Sequence, residues 1–253
     1  MDQLRDIHIK ALKKCNIKAK IHNKNLKHLI YNNFIDYDVD IKYIDKILEY
    51  IKTTSYVTTM IPILTIRSSP IQNIFEIFTQ NPRLKNIFEV ANSTSYWDTR
   101  KEVEDLLFAK VYNECEPIDR PKYGSINIFK NIGGDVHCKC YGDICLQYKN
   151  DIKPRITFTY QDSFTKQTYI CTYKYLDHLL YHLSKDDILK IVDIIENRKQ
   201  ERLSTYIEAQ IHGDVDISKD IESIHIPRIK YNDNKTIIDD FHKVYPHMRI
   251  IIY

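Results

Sequence analysis

Four polar side chains alternate with three aliphatic ones along Tyr206-Ile207-Glu208-Ala209-Gln210-Ile211-His212-Gly213. Successive side chains of a strand point to opposite faces. Ile207, Ala209 and Ile211 therefore share one face, and Tyr206, Glu208, Gln210 and His212 the other. A phenol, a carboxylate, an amide and an imidazole in one row can hydrogen-bond a polar ligand and move charge or protons. A half-buried strand with one polar face shows the same pattern, and alternation alone does not separate the two readings.

Two more segments carry usable groups. In Arg120-Pro121-Lys122-Tyr123-Gly124, an arginine held before a proline and a strand can fork two hydrogen bonds to a phosphate or carboxylate; standing alone it reads as a surface salt bridge. In Arg155-Ile156-Thr157-Phe158-Thr159-Tyr160-Gln161-Asp162-Ser163, alternation puts Arg155, Thr157 and Thr159 on one face, with Asp162 and Ser163 at its end. Those hydroxyls either orient a ligand or pair across strands as β-favoured residues do.

Other groups read as structural. His137, Cys138, Cys140, Cys145 and Cys171 lack the paired CxxC spacing of a zinc site, and the cysteines read as buried free thiols, with no metal expected. His178 and His182 lie four apart beside Asp177 without a third ligand. Gly133-Gly134 lacks a nucleotide-loop pattern and reads as a turn. Trp97 reads as a core or domain-joining anchor. Lys10, Lys13, Lys14, Lys18, Lys20, Lys24 and Lys27 read as a solvated helix face, with nucleic-acid binding as the minority reading.

Positioning these groups takes a mixed set of elements. Apolar spacing predicts helices over 2–14, 40–52, after Pro70, and from Trp97 to Tyr112. From Arg120 the pattern turns to short runs rich in Tyr, Ile and Thr (YGSINIF, ICLQY, RITFTY, QTYICTYKY) that read as strands. Ser184 with Asp187 forms a capping box opening one more helix. Strands are expected at 206–212 and 221–226, and an apolar tail runs from Arg249 to Tyr253. The expected architecture is α+β, with a helical N-terminal lobe (1–90) packed on a split antiparallel β core (91–253).

The chain has 253 residues, 43% hydrophobic and 11% aromatic, enough to bury a core. Its 37 Lys and Arg against 34 Asp and Glu leave +3, too mild to imply a nucleic-acid partner by itself. A charged start, six cysteines without a secretory signal and no long apolar run imply a soluble, cytoplasmic protein with no membrane contact. Abundant Ile, Lys, Asn and Tyr match an AT-rich genome such as that of a parasite or large DNA virus, the latter placing the protein in a host cell.

The order RPKYGSIN, RITFTYQDS, YIEAQIHG, the last followed by DVDISKDIESIHIP, resembles an uncharacterised bacterial family of unknown function with RPxYG, TFxxxDS and ExQxHG blocks. The likeness covers roughly 90–227 and includes the upstream YWDTRKEVEDLLFAKVY. Glycines and an Arg-Phe-Gly-Ser stretch of that family are replaced here by residues 135–143. More distantly, an early-strand Arg, a middle Ser/Thr strand and a late-strand Glu resemble the mono-ADP-ribosyltransferases and related toxins. That resemblance implies an enzyme that binds NAD, cleaves its nicotinamide glycosidic bond and transfers ADP-ribose to an unknown protein or nucleic acid. It implies that Arg120 holds the NAD phosphates, that Tyr123, Gly124, Thr157, Thr159 and Ser163 line the NAD site, and that Glu208, with Gln210 and His212, acts at the ribose. Tyr123, Tyr141 or Tyr160 would stack on nicotinamide. Tyr206 stands where that superfamily usually has Glu or Gln. The alternatives are a catalytically degenerate module that binds a host or viral protein, and a hydrolase of another glycosidic or phosphate bond.

Overall fold

The computed structural model describes residues 3–65, 70–90, 94–165, 169–198 and 202–253. It opens with a 31-residue helix α1 (Asp6–Asp36). The stripe predicted for 2–14 continues well past it, because Ala11, Cys15 and Ala19 recur every four residues and are small enough to bring α1 close to its neighbours, with Ile30 and Phe34 completing the buried side. Helix α2 (Lys42–Thr53) follows, then strand β1 (Tyr56–Ile61), α3 (Ile74–Gln80), α4 (Ile87–Val90) and α5 (Thr94–Phe108).

Strands β2 (Lys122–Asn127), β3 (Ile144–Tyr148), β4 (Ile156–Tyr160) and the two-residue β5 (Cys171–Thr172) come next, and then helices α6 (Asp177–His182) and α7 (Lys185–Ile195). The remainder is β6 (Ile207–Ile211), α8 (Ile217–Asp220), β7 (Ile221–Ile226), α9 (Arg228–Asp233), α10 (Lys235–Val244) and β8 (Arg249–Ile252). The fold is α+β. The Ser184 hydroxyl caps α7 by accepting from the Asp187 amide. β5 is shorter than QTYICTYKY suggests, since Thr172 and Tyr175 close a turn into α6; residues 167–168 of that run lie outside the described residues.

Two expectations are corrected. The strands form one continuous eight-stranded sheet rather than a split core, in the order β5-β4-β6-β2-β1-β3-β7-β8. Every pairing is antiparallel except β7 with β8. The first ninety residues are also not a helical lobe beside the sheet, because β1 lies at its centre, paired with β2 on one side and β3 on the other. The run Tyr-Val-Thr-Thr-Met-Ile is β-favouring in composition, but short and flanked by helices.

One face of the sheet is apolar. Ile126, Leu146, Phe158, Ala209, Ile211 and Ile224 join side chains from helices, such as Ile47, Phe75, Ile188 and Phe241, in the main core. The opposite face carries a polar row in register across six strands: Thr159, Glu208, Ser125, Thr58, Gln147 and Ser223. Burying one Ile or Leu is worth about 1.5–3 kcal/mol. A one-residue slip of β6 would drive Glu208 and Gln210 into the apolar core and turn Ala209 and Ile211 out of it, so burial on both faces sets the register.

Candidate active site

The polar face is not open to solvent. All five residues of β6 are buried, and so are Thr157, Thr159 and Ser163. Helix α5, a short turn at Val136–Tyr141 and another at Ser163–Thr165 lie over this part of the sheet; the first turn packs on β1 and the second on α5.

Glu208 sits between Ser125 on β2 and Thr159 on β4. Its Oε1 accepts from Gln210 Nε2 at 2.8 Å and its Oε2 from the Ser163 amide at 3.4 Å. Gln210 Nε2 also donates to Thr159 Oγ1 (3.1 Å), and its Oε1 accepts from Thr157 Oγ1 (2.9 Å). Since the Thr157 hydroxyl donates to Gln210, its oxygen accepts from His212 Nε2 at 3.0 Å, which leaves Nδ1 as the acceptor for the Tyr112 hydroxyl at 2.6 Å. Donors and acceptors thus run in one sense from Tyr112 through His212, Thr157 and Gln210 to the Glu208 carboxylate.

Electrostatics sharpen the assignment. Burial pushes the Glu208 carboxyl up to about 7, opposed by the nearby Arg100 charge and by the bonds from Ser163 and Gln210. Burial, with the charges of His8, Lys122 and Arg155, pushes His212 down to about 3, so its imidazole is neutral near pH 7. His212 is sandwiched against Tyr112 and meets Phe108 edge-on. Held as one neutral tautomer, it orients the Thr157 hydroxyl toward Gln210.

A second buried carboxyl adjoins the first. Glu104, on α5, pairs with the Arg120 guanidinium and accepts from the Tyr123 hydroxyl at 2.8 Å. Burial lifts Glu104 to about 7 against the pull of Arg120. Arg120 also donates to the Tyr112 carbonyl at 2.8 Å and lies over the Phe88 ring at 4.4 Å. Arg100 lowers both carboxyls by its charge. It donates to Ser163 Oγ at 3.0 Å and lies 4.4 Å from the centre of the Tyr123 ring.

Of the residues singled out in the sequence, Glu208, Gln210, His212, Thr157, Thr159 and Ser163 fall in one connected network; Tyr123 adjoins it through Arg100 and Arg120 through Tyr112. Arg120 is thus buried and paired rather than part of a surface salt bridge. Gly124 faces the other side of the sheet, where an added Cβ would lie 2.3 Å from the Thr58 carbonyl oxygen; it permits the close approach of β1 and β2. Tyr160 is also turned away, stacked on His182. Tyr141 stays at the rim, half exposed, its hydroxyl 3.2 Å from that of Tyr206 and 3.4 Å from Asp162 Oδ2. Arg155 lies outside the network and pairs with Asp220 at 2.9 Å. Lys122 is buried on the opposite face and donates to the Gly213 carbonyl at 2.8 Å; burial pushes it down to about 8.

Sequence reasoning missed Arg100, Glu104, Tyr112 and Ser125. Arg100 and Glu104 are separated by four residues, with Phe108 and Tyr112 continuing that interval, which is the signal of a charged helix face turned inward. Cys138 and Cys140 sit in the 3-10 turn at Val136–Tyr141, not on a strand. Cys138 packs against Met60 and Cys145, Cys171 belongs to the main core, and Cys140, expected to be buried, is exposed. Among the described residues no three His, Cys, Asp or Glu side chains are grouped to hold a metal ion, and no helix is long and apolar enough to cross a membrane.

No curated protein matches this chain. The chain is similar over residues 80–188 to a family described as "Protein of unknown function (DUF3626)", a span that includes Arg100, Glu104, Arg120, Thr157, Thr159 and Ser163 and ends before Glu208.

Proposed function

We propose that the protein is an ADP-ribosyltransferase-like enzyme that binds NAD, cleaves its nicotinamide glycosidic bond and transfers ADP-ribose to a protein or nucleic-acid acceptor. The observation that carries this reading is the setting of Glu208: a central-strand carboxylate, oriented by Gln210 and the Ser163 amide, desolvated and beside the charge of Arg100. Loss of nicotinamide leaves positive charge on the ribose. A fixed carboxylate in a site shielded from water stabilises that charge far more than a solvated one does. The Ser163 amide braces the same carboxylate directly, Thr157 and Thr159 hold the Gln210 amide that donates to it, and the neutral His212 holds Thr157.

NAD also brings two negative phosphates. Arg120 is the group for them, and a phosphate there replaces Glu104 as its partner. Because burial already lifts Glu104 to about 7, that exchange costs less as pH falls below 7 and Glu104 takes up a proton. Access requires the turn at Val136–Tyr141 to lift, with Tyr141 and Tyr206 at its edge. A specific observation favours a second reading: Glu208 and its partners are closed in, and Arg120 is already paired. On that reading the network is structural and the protein is a binding module.

The test incubates the purified protein with NAD labelled on the adenylate and on nicotinamide, alone and with cell lysate or nucleic acid. Nicotinamide release that is lost in Glu208→Gln, with the fold intact by circular dichroism, supports the enzyme. No release, no labelled product and no NAD binding by calorimetry removes it.

A further inference from the structure

The described part of α1 carries seven lysines between Asp6 and Asp36, and no acidic residue separates those two. Without these lysines the chain would be net acidic, since its formal charge is +3. Lys14 and Lys18 donate to the Ala109 and Leu106 carbonyls and help dock α1 at the end of α5. Lys10, Lys13, Lys20 and Lys24 are exposed, and among the described residues none of them makes an ion pair.

An open groove of about 490 Å³ runs along this helix, between α1 and the turn that joins β5 to α6. Lys13 and Lys20 line one wall and Lys174 the other; Ile9, Ile17 and Tyr175 supply apolar surface, and no carboxylate lines it. Cations on both walls of a trough complement an anion that lies within it, spaced along its length. A lipid bilayer presents a flat surface and is held by an apolar helix face that inserts. Here Ala11, Leu12, Cys15 and Ala19 are buried against the protein, and the exposed Ile9, Ile17 and Ile21 are interspersed with Lys10, Lys13, Lys20 and Lys24 instead of forming a separate apolar face. A single nucleic-acid strand fits better: its phosphates recur along one edge, and its bases lie on apolar or aromatic surface such as Tyr175.

We infer that the groove between α1 and the β5–α6 turn binds single-stranded nucleic acid, with Lys13, Lys20 and Lys174 on phosphates and Tyr175 against a base. This site is separate from Glu208 and does not depend on NAD chemistry.

Fluorescence polarisation with end-labelled twelve-nucleotide oligo(dT) and oligo(U) tests it on the full chain. Binding is expected at 50 mM salt and to weaken about 20-fold at 200 mM, the dependence for three phosphates on a single strand. The triple variant Lys13→Ala, Lys20→Ala, Lys174→Ala is expected to bind at least 10-fold more weakly, and Tyr175→Ala several-fold more weakly. Lys185→Ala, on exposed α7 surface, is expected to bind like the parent. If the alanine triple variant loses its circular dichroism spectrum, the corresponding Lys→Gln triple is read instead. No binding at 50 mM salt, or equal binding by a folded triple variant, overturns the inference. So does flotation with phosphatidylserine vesicles in the absence of oligonucleotide binding, which would make the lysine face a membrane site.

Discussion

Gln210 donates to Glu208 from two residues further along the same strand, at 2.8 Å. An extended strand brings alternate side chains to the same face, so the amide and the carboxylate it orients come from one short segment. Thr157, opposite Gln210 on β4, then ties this pair to His212 and Tyr112.

The Glu208 carboxyl makes stability fall as pH rises. Its folded value, about 7, lies above the ordinary 4.5. Below pH 4.5 both folded and unfolded chains are protonated there. Between 4.5 and 7 the unfolded chain ionises first, and each unit costs the fold about 1.4 kcal/mol. Urea denaturation at pH 4.5 and pH 8 is expected to show the parent losing about 3 kcal/mol relative to Glu208→Gln. A gap between the two proteins that does not change with pH would contradict the assignment.

Removing Arg120 alone strands a buried carboxylate. The Glu104 side chain is fully buried, and deleting one partner of such a pair costs about 3–5 kcal/mol. Arg120→Met is expected to lose that much at pH 8 and less at pH 5, where Glu104 takes up a proton. Combining it with Glu104→Gln is expected to restore much of the loss. Denaturation midpoints of the two single variants and the double variant close the cycle.

Gly124→Ala is expected to destabilise the sheet near the upper end of the roughly 1–3 kcal/mol range for overpacking. Its Cβ would meet the Thr58 carbonyl oxygen at 2.3 Å, and backbone at the centre of a sheet has little room to move. Thermal melts of this variant against Gly142→Ala, whose Cβ meets the Ile61 backbone near the end of β1, compare a central with a peripheral clash.

Thiol labelling reports on the cover. Cys140 is exposed, whereas Cys138, two residues earlier in the same turn, is buried and pushed up to about 12 by that burial. A disulfide reagent is expected to modify Cys140 within seconds and Cys138 only as fast as the turn lifts. Mass spectrometry of a time course separates the two sites. Equal rates would mean that the turn does not close the polar face.

The amino-acid order determined the strand at 206–212 and which of its residues share a face, because side-chain alternation is a local property of the extended chain. It likewise marked Thr157, Thr159 and Ser163 as one segment, and the capped α7. Only tertiary structure decided that Arg120 faces Glu104, that β1 enters the centre of the sheet, and that Gly124 and Tyr160 turn to the other face. These outcomes depend on which strands pair and in what register, and on helix α5 closing over them. The energies that select them come from burial between segments remote in sequence, which periodicity within any one segment does not contain.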